Sequence, residues 1–133
     1  MIADLTDYSG SLATDPAQLL GDVLARIQNE PGRVVTDARG RITAINPAFS
    51  ALCGYTFEEV RGKKPGDFLQ GPGTEPESVE KIRKALRTRK PCMVDLINYH
   101  KDGSTYRVRI ELKPFFKTNG ALAGFRAAEW RIP

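Results

Sequence analysis

Residues 92–116 read CMVDLINYHKDGSTYRVRIELKPFF, and the alternation of their apolar residues decides the fold. From Cys92 the pattern has period two: Cys92, Val94, Leu96 and Asn98 share one side of an extended chain. After a turn at Lys101-Asp102-Gly103-Ser104, Tyr106, Val108, Ile110 and Leu112 do the same. Two alternating runs joined by a short polar turn form a β-hairpin. The following run, KTNGALAGFRAAEWRI, adds a strand after the Asn119-Gly120 turn, with Ala123, Phe125, Ala127 and Glu129 on one face.

Upstream of this meander the period changes to that of a helix. TEPESVEKIRKALRTRK has Thr74 and Pro76 as start signals and places Val79, Ile82 and Leu86 on one face, with Arg83 at its edge. The preceding stretch GKKPGDFLQGP, residues 62–72, is glycine-flanked and proline-broken and reads as a loop. Asn46 and Pro47 cap AFSALCGY, a short helix, and TFEEVRG is a second, with Thr56 and Glu59 at capping-box spacing. RVVTD and RITAI flank the turn ARG and form two short antiparallel strands joined at Gly40. At the N-terminus, ATDPAQLLGDVLARIQNEPG carries a Thr14 or Asp15 cap and a stripe of Leu19, Leu20, Val23, Leu24 and Ile27. It is an amphipathic helix ended by Pro31 and Gly32. The expected architecture is α+β: a five-stranded antiparallel sheet with helices on one face, plus the N-terminal amphipathic helix. Residues 1–32 are a leader and cap helix, and residues 33–133 form one domain.

A chain of 133 residues has room for a single core. Its formal charge of +4 does not point to nucleic acid, because Lys and Arg alternate with Asp and Glu along EEVRGKKPGD and ESVEKIRKALRTRK, as on a solvated surface. There is no apolar run of membrane-spanning length and no signal peptide in MIADLTDYSGSLATD, so no membrane contact and a cytoplasmic location are expected. Cys53 and Cys92 lie far apart beside apolar neighbours, and His100 is the one histidine, which argues against a disulfide framework or a metal cluster. His100, next to a hairpin turn, is expected to be solvated. No Ser-His-Asp set, phosphate-cradling loop or paired catalytic acids stands out, so an enzyme is not expected.

INPAFSALCGYTFEEVRGK resembles the helical entry of PAS domains. FLQGPGTEPESVEKIRKAL, LINYHKDGSTYRVRIELKPF and the last strand resemble the LOV branch of that family, the flavin-binding blue-light sensors. The resemblance spans roughly residues 33 to 132. It implies a single small-molecule pocket between the helices and the inner face of the sheet, with FMN or FAD as the cofactor, or none if the pocket is filled by its own side chains. It implies that Asn98 hydrogen-bonds the flavin ring edge; a structural asparagine satisfied by nearby backbone is the alternative. Gln70 matches a glutamine that contacts the flavin, Arg83 one of two arginines that clamp the phosphate, and Glu129 the glutamine that senses the excited ring. Val34, Thr36 and Phe125 fall among the pocket positions.

Three positions depart from the pattern. Gly66 stands where photoactive LOV domains carry the cysteine that bonds to the flavin under blue light, so the covalent photocycle is not expected. Asp67 stands at the second phosphate arginine and is placed to pair with Arg83. Val108 replaces a second ring-contacting asparagine. The resemblance thus implies a sensory module acting through redox chemistry or photoreduction; a ligand-free interaction module is the alternative. Met93, Ile97, Tyr99, Leu122, Ala128 and Trp130 fall on the outer face of the sheet, more apolar surface than a solvated face needs. That face and the N-terminal helix are expected to form a homodimer contact, with a downstream effector domain as a possible further partner.

Overall fold

The computed structural model describes residues 15–21 and 30–133. The chain divides into two compact units, Met1–Glu30 and Pro31–Pro133. In the first, residues 16–21 are helical, and Asp15 Oδ1 accepts from the amide of Ala17 at 3.0 Å. The remainder of the expected N-terminal helix lies outside the described residues.

The second unit holds five strands, β1 (Gly32–Asp37), β2 (Ile42–Ile45), β3 (Cys92–Tyr99), β4 (Thr105–Phe116) and β5 (Leu122–Arg131). They form one antiparallel sheet in the order β2-β1-β5-β4-β3, so the first hairpin and the last strand meet at the centre. Between β2 and β3 come four helices, α1 (Pro47–Cys53), α2 (Phe57–Val60), α3 (Pro65–Leu69) and α4 (Pro76–Thr88).

Local chemistry accounts for most element ends. Asn46 Oδ1 accepts from the amides of Phe49 and Arg33, which caps α1 and ties it to β1. Gly32 opens β1, and a Cβ there would sit 3.0 Å from Phe49 Cα, so α1 rests directly on the strand. Thr56 and Glu59 form the capping box at the start of α2. The stretch read as a loop contains the one-turn helix α3, entered through Pro65 at its first position.

Thr74 does not cap α4; Glu75 holds that position, and both side chains turn to the edge of the sheet. The Thr74 hydroxyl donates to the Ile97 carbonyl at 2.7 Å, and Glu75 Oε1 accepts from the Ile97 amide at 2.9 Å. Ser78 and Lys81 donate to the carbonyls of Asp95 and Met93. The open edge of β3 is thereby satisfied by side chains of the adjoining helix, which blocks pairing with another strand.

The inner face of the sheet packs on the helices in two clusters. Phe49, Cys53, Val60 and Leu69 meet Leu96, Tyr106 and Val108 beneath α1 to α3, while Ala85 of α4 packs on Leu112 and Phe125. The outer face is less apolar than expected. Arg109 grips Asp95 with two hydrogen bonds of 2.8 and 3.0 Å, Arg107 reaches Glu75, and Ala128 is buried. Tyr99 folds over Gly71 and Gly73 and accepts from the Gly73 amide at 2.7 Å. Met93 and Trp130 remain exposed, at 47% and 37%.

His100 is half-buried, not solvated: its ring packs on Gly54, where a Cβ would come within 2.3 Å of it. Cys53 is a free, buried thiol and Cys92 a free, half-buried one. Among the described residues no cluster of His, Cys, Asp and Glu is arranged to hold a metal ion, and no helix is long and apolar enough to cross a membrane.

Candidate functional site

Between the two packing clusters the helices do not close on the sheet, and a cavity of about 470 Å³ remains. That volume falls within the range of small-molecule sites, about 300–1,000 Å³. Its walls come from both layers. Val34 and Thr36 of β1, Leu96 and Asn98 of β3, Ile110 and Leu112 of β4, and Phe125, Ala127 and Glu129 of β5 form the sheet side. Gly66, Leu69 and Gln70 from α3 and its end, with Val79, Ile82, Arg83 and Leu86 of α4, form the helical side.

Strand alternation brings the polar residues here. Asn98 lies two residues beyond Leu96 on the inward side of β3, and Glu129 lies two beyond Ala127 on β5. β5 is flanked by β1 and β4, with Glu129 in register with Gly32 on one side and Ile110 on the other. A carboxyl so placed cannot reach solvent. Glu129 is 3% exposed and Asn98 2%, and neither Glu129 Oε1 nor Asn98 Nδ2 has a hydrogen-bond partner. Buried polar atoms are satisfied in the great majority of cases, so these two stand out among the atoms of the cavity-lining residues. Tyr106, paired across from Asn98 in the core beside the cavity, has a third unpartnered atom in its hydroxyl, which lies near enough to the Asn98 side chain to feel it as a donor without a hydrogen bond of good geometry between them.

Burial without a nearby cation pushes the Glu129 carboxyl up to about 7. Burial, and then the neighbouring Glu129 charge, push the Tyr106 phenol up from its usual value. Burial likewise raises the Cys53 thiol, so it is a poor nucleophile.

The positions singled out in the sequence divide clearly. Asn98, Gln70, Arg83, Glu129, Gly66, Val34, Thr36 and Phe125 all line the cavity. Val108 does not: it is fully buried in the core, beside Leu96 in the sheet and in the cluster that includes helix residues Phe49, Cys53, Val60 and Leu69. Gly66 faces Gln70, whose side-chain atoms would lie 3.3 Å from a Cβ placed there. No ion pair joins Asp67 to Arg83, although both border the cavity. Sequence reasoning missed Arg39, in the β1–β2 turn, and Lys64, at the start of α3; both are exposed cations on the cavity border. Their distance in sequence from Arg83 hides the cluster, and only the stacking of the turn, α3 and α4 around the opening brings it together.

Residues 30–129 match the PAS domain family. A blue-light-activated histidine kinase of Brucella canis is 40% identical over 88 residues, 66% of this chain and 18% of that protein. Blue-light-activated histidine kinase 1 of Erythrobacter litoralis is 36% identical over 91 residues, 68% of this chain and 25% of that protein. The chain therefore spans about a fifth to a quarter of the curated relatives it matches. A structure from a study in which a flavin analogue sheds light on light-oxygen-voltage domain mechanism superposes with a TM-score of 0.74 at 31% identity, covering 86% of this chain and 84% of that one. The light-state structure of the blue-light photoreceptor Aureochrome1 LOV gives a TM-score of 0.74 at 28% identity, covering 82% and 87%. The chain belongs to the PAS domain family.

Proposed function

We propose that this chain is a sensory PAS domain of the LOV type that holds a flavin, FMN or FAD, without forming a covalent bond to it. The observation that carries the reading is the cavity with its two orphaned, buried polar atoms, Asn98 Nδ2 and Glu129 Oε1. β4 lies between their strands, so their backbones are about 10 Å or more apart, a span suited to a fused ring system. The relatives named for blue-light activation and the light-oxygen-voltage neighbours support the same ligand class.

In this reading Asn98, Gln70 and Glu129 meet the polar edge of the ring, while Leu96, Ile110, Leu112, Phe125 and Ala127 hold its apolar body and exclude water. Arg83, with Arg39 and Lys64, faces the phosphate at the opening. These three cations offset Asp67 and stand in for the arginine missing at that position. A bound flavin supplies blue absorption and electron transfer. With Gly66 in place of a thiol, electron transfer is the remaining response, which makes photoreduction or redox sensing the input. The output is a rearrangement of the outer sheet face, where Met93 and Trp130 contact a second copy, passed to an effector domain. The cavity itself weighs against a PAS module filled by its own side chains.

Titration with FMN, followed by flavin fluorescence, tests the ligand. We expect saturable binding and, in Asn98→Leu, an affinity at least about tenfold weaker, the scale of one lost buried hydrogen bond. FMN that stays free at micromolar protein would remove flavin as the ligand.

A further inference from the structure

We propose that Glu129 meets its ligand as a neutral carboxylic acid, donating one hydrogen bond to an acceptor on the ring edge, so that binding is linked to protonation of the cavity wall. The inference rests on the flavin reading and adds to it the protonation state of one residue.

Among the described residues, no cation faces Glu129 from the elements packed against it, and it makes no hydrogen bond through Oε1. Across β4 are the Ile110 backbone and the Tyr106 phenol; across β1 is Gly32. Cys53 of α1 contributes a thiol, and burial and then the Glu129 charge keep both it and Tyr106 in their neutral forms, so neither brings a counter-charge. Asn98 of β3 is neutral. Arg131 stacks on the Tyr106 ring at 5.2 Å, outside this wall. Arg39, Lys64, Arg83 and Asp67 stand at the exposed opening. Burial alone already raises this carboxyl to about 7. A flat, uncharged ring displaces cavity water and brings no counter-charge, so it favours the acid form further.

The two protonation states present different surfaces. With Glu129 ionised, its side of the wall can only accept, whereas the amides of Asn98 and Gln70 can donate or accept. With Glu129 neutral, its O–H adds a donor at that point, which suits an acceptor on the ring edge, such as a carbonyl oxygen or an aza nitrogen. The proton comes from solvent and stays on the carboxyl, with no oxidant or reductant needed.

Riboflavin is the suitable probe, because it lacks the phosphate whose own titration would confuse the result. Its affinity is measured from about pH 6 to about pH 9, in two buffers of different ionisation heat. We expect affinity to be constant up to about neutrality, then to fall about tenfold per pH unit, with close to one proton taken up per ligand at about pH 8. Glu129→Gln, which keeps a donor in place, is expected to bind with no such slope. The wild-type profile and proton count decide the matter even if that variant folds poorly. Riboflavin binding that is independent of pH, or that tightens as pH rises, overturns the acid while leaving the flavin reading standing. If riboflavin, which lacks the phosphate anchor, binds too weakly to measure, FMN is compared in wild type and Glu129→Gln over the same pH range, the phosphate titrating equally in both. Equal profiles overturn the acid, and failure of both flavins to bind at every pH overturns the acid and the flavin reading together.

Discussion

A carboxyl group that is 3% exposed makes folding itself depend on pH, and Glu129 is such a group. Unfolded, it titrates at its ordinary value of 4.5; folded, at about 7. Between these values the folded chain keeps a proton that the unfolded chain has released, so stability falls as pH rises through this window and levels off above it. The loss is roughly 3 kcal/mol, from about 1.4 kcal/mol per unit. Asp37, Glu59, Glu75, Asp95 and Asp102 are all shifted down by hydrogen bonds or ion pairs, so they act on the other side, removing stability as pH falls below their ordinary range. Urea unfolding of the ligand-free protein is therefore expected to show maximal stability near about pH 5, and Glu129→Gln to abolish the decline towards neutrality. An unchanged decline in that variant would mean another group carries it.

Asn98 gives the complementary case. Its amide nitrogen has no partner, so Asn98→Leu removes a desolvation cost and is expected to leave stability within about 1 kcal/mol of wild type, by denaturant titration, while flavin affinity drops. Loss of stability larger than the loss of affinity would make Asn98 structural. At Gly66, a cysteine side chain needs only the flexible Gln70 to yield by a few tenths of an ångström. If the flavin lies in the LOV orientation, Gly66→Cys is expected to show blue-light bleaching that recovers in the dark; unchanged absorbance under illumination would contradict that orientation.

At the scale of elements, Gly54 ends α1 with φ +84° and lies against His100, so helix end and hairpin turn are fitted to each other. The Lys101 amide donates to the Cys53 carbonyl, and the Lys101 ammonium pairs with Glu59, which fastens the same turn to α1 and α2. Gly54→Ala adds about 1 kcal/mol of left-handed strain to a clash with the imidazole. We expect His100→Ala to recover the clash portion of the lost stability in the double variant, read from thermal unfolding. Strictly additive losses would show that the ring moves aside without cost.

This junction also shows what the sequence could convey. The capping box at Thr56, the cap at Asn46 and the turns at Gly40, Gly103 and Gly120 depend on a few adjacent residues, and each forms where the pattern places it. Alternation likewise assigned Asn98 and Glu129 to the inner face. It did not foretell how deeply Glu129 is buried, because that depends on β5 lying between β1 and β4, strands far apart in sequence. Val108 misled for the same reason: it shares a face with Ile110, but the helices above it close down where those above Ile110 stand off. Tyr99 points outward by parity, yet the small Gly71 and Gly73 let it fold under the loop. The His100–Gly54 contact joins residues 46 positions apart and has no local signature.

At the scale of the folded unit, the two layers leave a ligand-sized gap, and the buried, unpartnered polar atoms that line it, among the described residues, belong to inward-facing strand residues. The outer face carries ion pairs around an exposed Met93 and Trp130, on strands that also form the cavity wall. The curated relatives extend well beyond the matched segment, which is 18% and 25% of their length. The central claim is that the gap holds a flavin. The most direct test is an absorbance spectrum of the freshly purified protein, followed by heat release and chromatography of what it holds. The account predicts absorption in the blue and release of FMN or FAD; a featureless spectrum that does not change when flavin is added would contradict it.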